Sequence, residues 1–153
     1  MKNRKLKGII LALSFLLIFF CEISWSTDIT VTGSGWSENI DALNLLAGAG
    51  SNLIDTYQSA TDAVQLNITA TGNWKVQVEK TDSTLPGGLH LYIRKTSTPE
   101  GSYQEVTDID QDFLGVSGTG NTNVNVQFKL TGVSIQVLPG TYSATIQYTV
   151  FDQ

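Results

Sequence analysis

Apolar and polar residues alternate with a period of two through much of this chain. Val64, Leu66, Ile68 and Ala70 are separated by Gln65, Asn67 and Thr69. After Thr71-Gly72-Asn73, Trp74, Val76 and Val78 are separated by Lys75 and Gln77. Successive side chains of a strand point to opposite faces, so each stretch predicts a strand with one buried face, and the short link between them predicts a β-hairpin. Pro86-Gly87-Gly88 predicts a turn into a further strand, with Leu89, Leu91 and Ile93 on one face and His90, Tyr92 and Arg94 on the other. Val124, Val126, Phe128 and Leu130 alternate with Asn123, Asn125, Gln127 and Lys129, and Val133, Ile135 and Val137 carry the pattern past Gly132. After a turn at Pro139-Gly140, the last strand places Tyr142, Ala144, Ile146, Tyr148 and Val150 on one face.

Two stretches lack this clarity. Thr96 to Gly120 is polar and turn-rich, and reads as one short strand near Tyr103–Thr107 followed by a loop. Between Ser37 and Tyr57 two readings stand. In one, Ser37 caps a short helix with Ile40, Leu43, Leu46 and Ala47 on one face, ended by Gly48. In the other, a strand is bulged at Gly48-Ala49-Gly50-Ser51. Strands with one apolar and one polar side throughout predict an all-β fold of two antiparallel sheets packed face to face. Threonine, 18 of the residues from 27 onward, suits this because its branched Cβ fits a pleated surface.

The N-terminus follows a different pattern. Lys2, Arg4, Lys5 and Lys7 precede an apolar run of 13 residues from Gly8 to Phe20, broken only by Ser14. Ser24 and Ser26 then supply the small-x-small pattern of a signal-peptidase site. Residues 1–26 therefore read as a cleaved signal peptide and residues 27–153 as a single domain, with the product secreted, periplasmic or at the cell surface. An uncleaved anchor is the competing reading, but a spanning helix needs about 20 apolar residues. A lipid on Cys21 is disfavoured by Phe20 before it, where a small residue is required.

Removing this segment changes the charge and the redox chemistry. Five bases and thirteen acids remain, a net charge of −8. That excludes an extended basic patch and argues against nucleic acid and anionic membranes as partners. The sole cysteine, Cys21, leaves too, so the domain has no disulfide, no thiolate nucleophile and no cysteine-ligated metal. A chain of this length can bury a self-sufficient core.

Candidate chemistry is sparse. Asp108-Ile109-Asp110-Gln111-Asp112 sets three carboxylates at alternate positions, which can supply oxygen ligands to calcium. Phe113 and Thr119, however, stand where an EF-hand loop requires Gly and Glu. A solvated acidic loop is the plainer reading, and no cofactor is expected. His90 is the only histidine and has no legible catalytic partner, so the domain is expected not to be an enzyme. Trp36, between Gly35 and Ser37, reads as an exposed aromatic for a sugar ligand, with Tyr57, Tyr92 and Tyr103 as further candidates; Trp74 is in register with core residues.

The stretch from Leu130 through Pro139-Gly140-Thr141-Tyr142 to Val150 resembles the closing hairpin of secreted bacterial pilin-like domains, the spore-coat-U and chaperone–usher fimbrial group. The resemblance implies an immunoglobulin-like sandwich, export, handling by a periplasmic chaperone, and assembly with itself or related subunits by strand addition. Asp152 stands where pilins carry an aromatic, and their disulfide is absent. Ile29 and Val31 give the new N-terminus a short alternating segment for strand exchange; the same residues read equally as an ordinary first strand. The expected function is a non-enzymatic structural subunit of a surface, coat or fimbria-like assembly, the alternative being a secreted carbohydrate-binding or adhesion module.

Overall fold

The computed structural model describes residues 26–116 and 118–153. All but the last residue of the expected signal peptide, Cys21 included, lies outside the described residues. The described residues form nine strands: β1 (Thr27–Thr32), β2 (Tyr57–Gln58), β3 (Val64–Ala70), β4 (Trp74–Thr81), β5 (His90–Lys95), β6 (Gln104–Glu105), β7 (Gln111–Val116), β8 (Gly120–Thr131) and β9 (Thr145–Asp152). They form two antiparallel sheets. The larger runs β1-β3-β8-β5-β6, with β2 added to β8; the smaller runs β7-β4-β9. The 12-residue β8 is the spine of the larger sheet. One of its edges pairs with β3 over Gly120–Val126 and with β2 at Lys129–Leu130, while the other pairs with β5. All-β, antiparallel architecture is thus as the alternation predicts.

One core joins the two sheets. Val64, Leu66, Ile68, Leu91, Ile93, Val124, Val126 and Phe128 from the larger sheet meet Trp74, Val76 and Val78 from the smaller. A second, smaller cluster of Tyr57, Leu89 and Val133 lies under the loops at one end.

The predicted hairpin between β3 and β4 does not form. β3 pairs with β1 and β8, β4 with β7 and β9, so Thr71-Gly72-Asn73 carries the chain across from one sheet to the other. Period-two alternation is the same for a hairpin and for such an arch. Here Val64, Leu66, Ile68 and Ala70 face Trp74, Val76 and Val78 across the core, and all seven are buried. An arch lets both strands bury against each other, whereas a hairpin puts both apolar faces on one side of one sheet.

The expected closing hairpin is also replaced. Residues 132–144 form no strand, and β9 pairs with β4 rather than with β8. Val133 is buried in the second cluster, while Ile135 and Leu138 are exposed. The crossover starts at Gly132, whose φ is +84° and where a Cβ would lie 1.8 Å from the Gly88 carbonyl oxygen. Only glycine fits that position.

A strand was not expected at β7. Its register against β4 shifts between Val76 and Gln77, which face Leu114 and Asp112. The bulge leaves Phe113 unopposed, and both Phe113 and Leu114 pack on the core. Two successive apolar residues facing the same way destroy the alternation by which a strand is read.

Between β1 and β2 the structure combines parts of both readings. Ser37 caps nothing. Asp41 caps a single 3-10 turn at Ala42–Asn44, accepting from the Leu43 amide at 2.8 Å. The chain then doubles back, with an isolated bridge from Leu45 to Leu53 around Gly48-Ala49-Gly50.

Candidate functional site

The outward positions of the larger sheet hold the richest polar array. Because Leu91, Ile93, Val126 and Phe128 point inward, their neighbours His90, Tyr92, Arg94, Gln127 and Lys129 point outward. Register sets them in rows. Tyr92 lies between Lys129 of β8 and Glu105 of β6, and Gln58 of β2 flanks Lys129 on the far side. Arg94 lies beside Gln127 in the next row.

The side chains lock together. The Lys129 ammonium sits 4.4 Å from the Tyr92 ring centre and 4.3 Å from that of Tyr103. The Arg94 guanidinium lies 4.8 Å from the same Tyr103 ring. Such cation–π contacts contribute on the order of 0.5–1 kcal/mol each at exposed sites. The Tyr103 hydroxyl donates to Gln58 Oε1 at 3.2 Å. Arg94 donates from Nε to Gln127 Oε1 at 2.9 Å and reaches Glu100 Oε1 at 2.5 Å. Gln127 is buried and donates to the Ser59 carbonyl at 2.8 Å, which ties the array to the spine of the sheet. His90 Nδ1 lies 2.6 Å from Glu105 Oε1.

Toward β1 the same face becomes a run of amides. Gln65 donates to Asn125 Oδ1 at 3.0 Å, and Asn67 to Thr32 Oγ1 at 3.4 Å. The face offers amide donors and acceptors, ring edges and one imidazole–carboxylate pair. These are groups that hydrogen-bond hydroxyls. The tyrosine faces are already engaged by cations, so the array is not an open stacking platform.

Of the residues singled out from the sequence, His90, Tyr92 and Tyr103 fall within this array, Tyr57 is buried, and the others lie elsewhere. Trp36 is half-buried and packs against both apolar clusters, so it is not the freely exposed aromatic expected. The three aspartates do not converge. Asp108 pairs with Lys80 at 3.3 Å. Asp112, on β7, accepts from Gln77 at 2.7 Å and from Lys75 at 2.9 Å. These two hydrogen bonds, Gln77 first, hold the Asp112 carboxyl below the ordinary carboxylate range. Asp110 is exposed and has no ion pair among the described residues. No group of three or more His, Cys, Asp or Glu suited to a metal ion occurs among the described residues. Ile29 and Val31 lie in β1, which pairs over all six residues with β3 of its own sheet.

Among the described residues, the two edge strands of the smaller sheet have no further strand laddered to them. β9 is laddered to β4 on one side; on the other it meets β1 where the Thr27 hydroxyl donates to Asp152. β7 likewise ladders only to β4. The polar array was half legible, since alternation puts His90, Tyr92 and Arg94 on one face. Gln58, Glu105 and Lys129 join them through strand pairing, for which a single sequence carries no signal.

No family model matches the chain, and none of the curated proteins is detectably similar to it. No described helix is long and apolar enough to cross a membrane.

Proposed function

We propose that the chain is an exported, non-enzymatic structural subunit of a surface, coat or fimbria-like assembly, built as an immunoglobulin-like β-sandwich. It joins copies of itself, or related subunits, by pairing strand edges, with a periplasmic chaperone covering the edge before assembly. The observation that carries this reading is the outer edge of β9. Its eight residues, Thr145–Asp152, contain no proline and no lysine, and no bulge interrupts their ladder to β4. Natural sheets protect edges with those devices, because an unpaired row of N–H and C=O groups templates another strand. Addition at β9 leaves β1 on β3, so it does not require the exchange of Ile29 and Val31.

The test is a double substitution, Gln147→Lys with Thr149→Lys, which charges the edge without touching the core. Wild-type protein is expected to form multimers that the variant does not, with circular dichroism and melting unchanged. Multimers that persist in the variant would overturn the reading, as would a wild type that stays monomeric at high concentration.

The outer face of the larger sheet favours a second reading, carbohydrate binding or adhesion. The observation behind it is the joined array of Gln58, Tyr92, Tyr103, Arg94, Gln127 and Lys129, rather than Trp36. On a glycan array, binding lost in Tyr103→Ala and Gln58→Ala but kept in Trp36→Phe supports it. Binding to no glycan contradicts it.

A further inference from the structure

Apolar surface is not spread evenly over this molecule. Of the eight exposed large hydrophobics among the described residues, Leu43, Leu46, Ile54, Ile135 and Leu138 fall in two loops, 42–54 and 133–138. The loops are fastened to each other. Asn52 accepts from the Ile135 amide at 3.0 Å through its side chain, and from the Leu46 amide at 2.8 Å through its carbonyl. Asp55 accepts from Val133, and Ile54 donates to the Asn44 carbonyl at 2.9 Å. Beneath them, Ile40, Leu53, Val137 and Tyr142 pack on the second apolar cluster. The exposed residues therefore stand on a built support at one end of the sheets. Leu43 is 91% exposed and Leu138 78%, an expensive way to place leucines unless something covers them.

The rim of this cap is acidic without compensation. Glu38, Asp41 and Asp55 are exposed around it. No Lys or Arg occurs from Thr27 to Trp74 or from Leu130 to Gln153. Lys75, Lys80 and Arg94 are held in ion pairs elsewhere, Lys129 lies over two tyrosine rings on the sheet face, and Lys95 ends β5 opposite Val126. The field is felt locally: after burial itself, Glu38 and Asp41 push the Tyr57 hydroxyl upward.

We infer that this cap is a docking surface for an apolar segment of another protein flanked by Lys or Arg. Apolar contact supplies the binding, and basic flanks answer the acidic rim. The same cap on a second copy brings another acidic rim and loops without Lys or Arg, and an anionic membrane is repelled in the same way, so neither fits.

The test uses three fluorescent peptides of equal length: leucine with lysine, leucine with glutamate, and serine with lysine. The wild-type protein is expected to bind the first at least tenfold more tightly than the other two. Leu43→Ser with Leu138→Ser, both at exposed positions, is expected to weaken that binding at least tenfold with melting unchanged. Glu38→Gln is expected to weaken it several-fold at low salt and not at high salt. Equal binding of the serine–lysine peptide would overturn the inference. So would binding unaffected by the leucine substitutions, dimers of the wild type lost in the leucine variant, or affinity for phosphatidylglycerol vesicles alone.

Discussion

At the scale of single residues, the informative positions are those whose chemistry conflicts with their surroundings. Tyr148 on β9 points its ring at the core beside Phe113, and its buried hydroxyl has no hydrogen-bond partner. Burial pushes its ionisation well above the ordinary tyrosine range. A group that ionises later in the folded state contributes stability fully present below the unfolded value of about 10, and lost as pH rises beyond it. Tyr148→Phe is therefore expected to match or exceed wild-type stability at pH 7, by up to about 1 kcal/mol, and to flatten the alkaline side of a pH–stability curve from urea melts. Asp112 has the opposite sign. Its carboxyl is held low, so its contribution is present above the ordinary carboxylate value of about 4 and lost as pH falls through the lower folded value. Asp112→Asn is expected to flatten the acid side of the same curve. Gly132→Ala combines a positive φ with a backbone collision; chemical denaturation should show a loss of at least about 2 kcal/mol.

At the scale of elements, burial was legible and partnership was not. The inward faces of β3, β4, β5 and β8 follow the alternation residue by residue, and Trp74 is buried as its register predicts. Trp74→Ala is expected to cost about 3–5 kcal/mol in a urea melt. Which strand pairs with which is a different kind of information. The step from Ala70 to Trp74 and the one from Thr131 to Thr145 both cross between sheets, and local periodicity is indifferent to that choice. β7 escaped notice because its bulge turns Phe113 and Leu114 the same way. The outer array of Tyr92, Tyr103, Arg94 and Lys129 was hidden for the same reason as the pairing: its members come from β5, β8 and the loop residue just before β6. The three aspartates, conspicuous as a motif, were divided when Asp112 entered a strand and found Lys75 and Gln77.

At the scale of the whole molecule, three surfaces have distinct characters: the polar face of the larger sheet, the acidic-rimmed apolar cap, and the open edges of the smaller sheet. The first hydrogen-bonds, the second buries, and the third extends a ladder. An assembling subunit needs the third above all, and β9 offers it over eight residues. Hydrogen exchange read residue by residue, in the dissociated and the assembled protein, tests this most directly. In the monomer, the β9 amides that point away from β4 are expected to exchange quickly, while those laddered to β4 are slow. In the assembly, the outward amides of Thr145–Asp152 are expected to become slow, with β1 and β3 unchanged. Protection gained at β1 or β7 while β9 stays fast would contradict the account.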